Sequence, residues 1–246
     1  MLTSQQTKKR VLLIGFGRFG KILHEKFKTH GNVAGIATRN YREVLAATPC
    51  DLVAIATPTI THASIAKDAL RAGKDVFVEK PLSANPDEIK DVFALAEQKN
   101  KKVYVDDVFL WRQEYRKLKE KIQKKRVARV RFAFQKYGTF EDTLLNTHVY
   151  HDLYMFADLL GEQNINALEI LSADDPLKKG RIDKLSFRLK YGDVLVEGYY
   201  DRTSQERHKE VSLDFENSKT IVWRDNTVIE NGVADIISPH DALGAM

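Results

Sequence analysis

Six residues near the N-terminus carry the first recognisable chemistry. Gly15-Phe16-Gly17-Arg18-Phe19-Gly20 spaces its glycines as G-x-G-x-x-G. Glycine-rich hexamers occur in many loops, so the spacing gains meaning only from its surroundings. Here a continuously apolar run, Val11-Leu12-Leu13-Ile14, precedes it, and Phe19, Ile22, Leu23 and Phe27 follow at helical spacing. A buried strand, a glycine turn and a helix start form a cradle for a dinucleotide pyrophosphate. Gly15 permits the tight turn, Gly17 removes a side chain so that pyrophosphate can approach the backbone, and Gly20 lets the helix pack close to the strand. The helix N-terminus supplies free N–H groups and partial positive charge. Phe16, Arg18 and Phe19 complete the binding loop.

The choice of dinucleotide rests on the next strand. An acidic residue about 20 positions after the glycines would bond the adenosine ribose and favour NAD. Thr38-Arg39-Asn40 stands there instead. Thr38 and Arg39 can donate hydrogen bonds and charge to a 2′-phosphate that a carboxylate would repel. NADP(H) is therefore expected, with NAD(H) possible. The alternative is that Arg39 caps the strand end or stacks on adenine.

These residues need elements to position them. Strands are expected at Val33–Ala37, Leu52–Ala56, Asp75–Val78 and Lys102–Val105, with helices over Tyr41–Ala47, His62–Ala72 and from Asn85-Pro86 to about Asn100. Gly73 is a good helix stop, and Asn85 followed by Pro86 is a good start. Strand and helix alternating in this way imply parallel βαβ units covered on both faces. Beyond about Val108 come a helix (Arg112–Lys124), a strand (Ala128–Tyr137), a second helix (His148–Leu160) and then mostly strands. Gly192-Asp193 and Glu216-Asn217-Ser218 read as tight turns between paired strands. The fold class is α/β: an N-terminal Rossmann dinucleotide-binding domain (1–118), then an α+β domain with an open, mainly antiparallel sheet (119–246). One face of that sheet is expected to pack on helices and the other to be partly apolar, which suggests a homodimer through the C-terminal sheet.

Composition bounds the setting. The 43% apolar content suits a packed core. The longest apolar runs fall well short of the roughly 20 residues that span a bilayer, and no apolar signal region follows the polar N-terminus. A single cysteine, Cys50, fits a reducing compartment, so a cytoplasmic protein is expected, without membrane. Much of the net charge of +5 sits between Arg116 and Arg131. A solvated helix face accounts for it more simply than nucleic acid, for which no motif is present. No metal site is expected.

Longer motifs then resemble a known family. Ala56-Thr57-Pro58-Thr59-Ile60-Thr61-His62, Ala72-Gly73-Lys74-Asp75-Val76 and Glu79-Lys80-Pro81-Leu82 follow the glycine loop in the order of the Gfo/Idh/MocA oxidoreductases. Val105-Asp106-Asp107-Val108-Phe109-Leu110-Trp111 resembles that family's end-of-domain strand, as found in members of sugar and nucleotide-sugar metabolism. The resemblance implies that Thr57, Pro58, Thr59 and His62 lie along the cofactor. It also implies that Glu79-Lys80-Pro81 sits by the nicotinamide, with a cis peptide before the proline. Lys80 would orient a substrate hydroxyl or carbonyl and help move its proton during hydride transfer.

The family's second motif, D-x-x-x-H, aligns with Thr147 to His151 through the following H-D and L-L-G. His151 is the candidate acid/base, and the usual aspartate is Thr147. His148, Tyr150 or the Asp106-Asp107 pair could substitute for it, although His148 reads as structural. The implied activity is hydride transfer between nicotinamide and a sugar, cyclitol or nucleotide-sugar alcohol or ketone. The alternative is a catalytically weak, NADP-binding regulatory or sensor protein. Ser238-Pro239-His240-Asp241 looks like the start of a further helix.

Overall fold

A computed structural model of the chain describes residues 8–123, 125–137, 142–217 and 219–236. The helix expected from Ser238 lies outside the described residues. The chain divides into two compact units, Met1–Asp106 and Asp107–Met246.

The first unit runs β1 (Arg10–Ile14), α1 (Arg18–His30), β2 (Asn32–Ala37), α2 (Tyr41–Ala47), β3 (Leu52–Ile55), α3 (His62–Arg71), β4 (Asp75–Val78), α4 (Pro86–Gln98) and β5 (Val103–Val105). The strands form one parallel sheet in the order β2-β1-β3-β4-β5. The apolar run of β1 is continuous because both faces are covered. Val11 and Leu13 pack with Leu23 and Ala54 on one side. Leu12 and Ile14 join Val53, Ile55, Leu70, Val76 and Val78 on the other. Asn85 caps α4 by accepting the Asp87 amide at 2.9 Å, and Gly73 ends the turn after α3 with φ +74°. The chain leaves β1 toward β2 and later returns to β3 on its other side. That reversal opens a crevice at the carboxyl ends of β1 and β3, where open α/β sheets bind ligands.

The second unit contains α5 (Gln113–Ile122), β6 (Val127–Gln135), a wide five-residue helical turn (Leu145–Val149) and α6 (Tyr150–Leu160). Seven strands follow: β7 (Ile165–Asp174), β8 (Lys184–Tyr191), β9 (Val194–Asp201), β10 (His208–Phe215), β11 (Thr220–Arg224), β12 (Thr227–Glu230) and β13 (Val233–Ile236). The sheet order is β13-β12-β11-β10-β6-β9-β8-β7, antiparallel except where β6 meets β9. Its inner face buries Val130, Phe132, Val196, Tyr200, Val211, Leu213 and Trp223 against Tyr115, Leu118, Met155 and Phe156 of the helices. Because Tyr115, Leu118 and Ile122 belong to this core, the units part after Asp106, ahead of the 118/119 boundary read from sequence.

The outer face mixes charged and apolar side chains, with Tyr199 exposed on β9. Ion pairs cross it: Arg131–Asp214 at 2.9 Å, Arg188–Glu197 at 3.1 Å and Arg224–Glu210 at 2.5 Å. Further exposed apolar side chains lie on the edge strand β7, at Ile165, Leu168, Ile170 and Leu171. The basic stretch is answered locally by carboxylates, with Lys119 on Asp158 and Lys121 and Lys125 both on Glu230. Among the described residues no helix is long and apolar enough to cross a membrane.

Candidate functional site

The glycine loop separates its three roles in space. Gly15 has φ +96°, its N–H donates to the Ala37 carbonyl at 2.9 Å, and a Cβ there would run into the Ala56 carbonyl. A Cβ on Gly20 would overlap the Gly15 carbonyl, so α1 sits hard against the turn. A Cβ on Gly17 would meet nothing within 4 Å. Gly17 thus faces open space at the start of a helix that has no side-chain cap and no acidic residue in its first turn. Amide donors without a competing side chain, beside unfilled room, fit a pyrophosphate. Phe16 and Phe19 are exposed beside them, and the Arg18 guanidinium lies 5.8 Å from the Phe19 ring centroid. At the end of β2, Thr38 and Arg39 are exposed, and Arg39 has no ion-pair partner among the described residues.

Thr57, Pro58 and Thr59 leave the carboxyl end of β3. Thr61 Oγ1 lies 2.7 Å from both Thr57 Oγ1 and the Pro58 carbonyl, which pins this turn. His62, read from sequence as lying along the cofactor, is enclosed at 1% exposure. Its Nδ1 is 2.8 Å from the Pro81 carbonyl and its Nε2 is 2.7 Å from the Thr57 carbonyl. The ring therefore ties the loop after β3 to the loop after β4.

Glu79, Lys80 and Pro81 follow β4, with the Lys80–Pro81 peptide cis. The Glu79 amide donates to the Ile55 carbonyl at 2.9 Å, which holds the loop beside β3. Burial, reinforced by the charge of Asp106 and opposed by Lys80 and Lys26, raises the Glu79 carboxyl to about 7. Burial raises Asp106 as well. The first unit thus brings the glycine loop, the Thr57 turn and the Lys80 loop to the carboxyl ends of three neighbouring strands.

In the second unit, His151 stands in the first turn of α6. Its Nδ1 lies 3.0 Å from the Tyr154 hydroxyl, which also accepts the Phe109 amide at 3.2 Å. The Phe109 ring meets the imidazole edge-on, 4.8 Å between centroids. Thr147, at the family's aspartate position, turns elsewhere: its hydroxyl is 2.8 Å from the Thr143 carbonyl and 2.7 Å from His148 Nδ1. His148 is buried, with its ring 4.2 Å from Phe134, as a structural histidine would be. Tyr150 donates to Asp107 at 3.1 Å. Arg202, paired with Asp183 at 2.6 Å and bonded to the Asp142 carbonyl at 2.7 Å, fixes the chain entering the wide turn.

The sequence reading missed Tyr154 and Lys209. Tyr154 follows His151 at helical i,i+3 spacing, a signal that was available. Lys209 occupies an inward register of β10, in step with Val211, Leu213 and Phe215. A lysine in phase with an apolar face was the sign.

Part of the chain is similar to known proteins. Residues 32–107 match the model of the Gfo/Idh/MocA family, described as an oxidoreductase family with an NAD-binding Rossmann fold. UDP-N-acetylglucosamine 3-dehydrogenase of Acidithiobacillus ferrooxidans is 28% identical over 107 residues, which cover 37% of this chain and 34% of that protein. Matches to seven curated relatives span between 12% and 34% of those proteins' lengths. The solved structure of the same dehydrogenase superposes with a TM-score of 0.82 at 17% identity, over 96% of this chain and 85% of that one. GenD2 from gentamicin A biosynthesis, solved with NAD, gives 0.79 at 18% identity, over 89% and 72%. Biliverdin reductase of Synechocystis, solved with biliverdin and NADP+, gives 0.76 at 18% identity, over 93% and 84%. At these identities the structures establish the fold of both units and nothing finer. Over residues 32–107 the chain is similar to the NAD-binding Rossmann domain of the Gfo/Idh/MocA oxidoreductases.

Proposed function

We propose that the protein binds NADP(H), with NAD(H) as the weaker alternative, and transfers a hydride between the nicotinamide and an alcohol or ketone carbon of a sugar, cyclitol or nucleotide sugar. The observation that carries this reading is the glycine cradle, in which two glycines are closed by packing and Gly17 alone is open. When bound, the dinucleotide supplies the hydride acceptor or donor. The rest falls to the chain. The amides at the start of α1 hold the pyrophosphate, and exposed Arg39, with no carboxylate beside it on β2, favours a 2′-phosphate. Lys80 holds the substrate oxygen and exchanges its proton. His151, with its ring oriented by Tyr154 and Phe109, is the second proton carrier.

Titration with NADPH and NADH, followed by turnover with a panel of sugars and nucleotide sugars, tests the proposal. Lys80→Met should keep NADPH binding within roughly twofold and lower turnover roughly 10²–10⁴-fold, the usual worth of a positioned acid/base. Normal turnover in that variant refutes the role of Lys80.

A second reading has its own support. Thr147 engages His148 instead of His151, so the family's carboxylate has no counterpart at that position. Tight NADPH binding without turnover on any member of the panel would select the regulatory or sensor protein.

A further inference from the structure

We propose that Lys209 anchors an oxyanion of the substrate, a carboxylate or a phosphate, within the second unit. Strand β10 turns Val211, Leu213 and Phe215 into the core, and Lys209 is next in that register, opposite Phe134 of β6. Its Nζ lies 3.1 Å from the centroid of the Phe109 ring, 5.6 Å from that of Trp223 and 5.8 Å from that of Phe134. It makes no hydrogen bond and no ion pair among the described residues. The aromatic faces attract the charge but accept none of its N–H groups in the manner of an oxygen. Lys209 is half-buried, which leaves its amine open to a ligand from outside the core.

The neighbouring charges are accounted for. Asp152, 4% exposed, accepts the Tyr200 hydroxyl at 2.9 Å. Arg112 pairs with Glu114 at 3.2 Å while lying 5.7 Å from the Phe109 centroid and 5.9 Å from that of Trp223. Burial lowers the Lys209 pKa, Asp152 opposes the shift and Arg112 adds to it. An oxyanion placed on the ammonium would accept N–H groups that no described residue accepts, and would relieve the repulsion from Arg112. Phe109, whose ring carries Lys209, also contacts His151, so a ligand held by the amine sits in the neighbourhood of the imidazole. What the ligand then undergoes depends on the oxidoreductase reading. How it is held depends on the second unit alone.

Calorimetric titration of the full chain with glucuronate, glucose 6-phosphate and glucose separates the sources of the anion. At least one anionic sugar should bind roughly tenfold or more tightly than glucose, as a charge-assisted contact implies. Preference for glucuronate identifies a carboxylate, and preference for glucose 6-phosphate identifies a phosphate. Lys209→Met should erase the preference and Lys209→Arg should retain it. Circular dichroism and NADPH affinity unchanged from the parent chain would show that both variants are folded. The assignment is overturned if neither anion outbinds glucose, or if the preference survives in Lys209→Met. A parent chain that binds an anion through Lys209 but no dinucleotide would refute the oxidoreductase reading and leave the anchor standing.

Discussion

Gly17 and Gly20 share one loop and answer to different forces. In a helix, replacing glycine by alanine gains about 1 kcal/mol from propensity alone. At Gly20 that gain is outweighed, because the new Cβ would overlap the Gly15 carbonyl, and overpacking costs about 1–3 kcal/mol. Gly20→Ala should therefore lower the melting temperature. Gly17→Ala should leave it unchanged, since its Cβ meets nothing, yet weaken NADPH binding roughly tenfold or more by intruding where pyrophosphate must approach. Parallel melts and fluorescence titrations check both, and an unstable Gly17→Ala would contradict the reading. Glu79 makes a prediction about pH. Unfolded, its carboxyl ionises near 4.5, and folded, it keeps its proton to about 7. Below both values the group has no effect on stability. Between them only the unfolded chain ionises, so stability falls as pH rises, and the loss is complete above the folded value. Glu79→Gln should remove this loss, stabilising the dinucleotide-free chain by up to about 3 kcal/mol at pH 8 and by little at pH 4, as read from denaturant melts. At this scale the glycine tasks were legible because backbone sterics set them. The partner of His151 was not, because the family pattern directed attention to Thr147 and away from Tyr154.

Elements of the first unit could be read almost entirely from hydrophobic patterning. A strand buried on both faces leaves a continuous apolar run, and each helix between strands has its own start and stop residues. The second unit was harder. Strands β12 and β13 are four residues each and mix polar with apolar side chains, so they left no period to detect. The wide turn Leu145–Val149 falls outside the 3.6-residue repeat, which is why the helix read from His148 begins at Tyr150. His62 shows what an element-level tie contributes. His62→Leu would leave the Thr57 and Pro81 carbonyls without their partner at a buried position. A cost of about 2–4 kcal/mol is expected, together with weaker NADPH binding as the two loops come apart. Full dinucleotide affinity in a destabilised His62→Leu protein would show that the loops hold their positions unaided.

At the scale of the whole molecule, we propose self-association through the second sheet. Its outer face carries arginine–carboxylate pairs, each worth little when exposed, so the apolar residues of β7 are the better contact. Sedimentation should show a dimer, and Leu168→Lys combined with Ile170→Lys should yield monomers. A monomeric parent chain rejects the proposal. Alternation showed which residues share this face without showing which charges pair across neighbouring strands.

Gly15 is gripped from three directions, by the end of β2 through its amide, by Ala56 beyond β3, and by Gly20 of the first helix. A loop so constrained has little conformational freedom left to lose when a nucleotide arrives. The entropy of shaping the cradle is charged to folding, and nearly all the contact energy can appear as affinity.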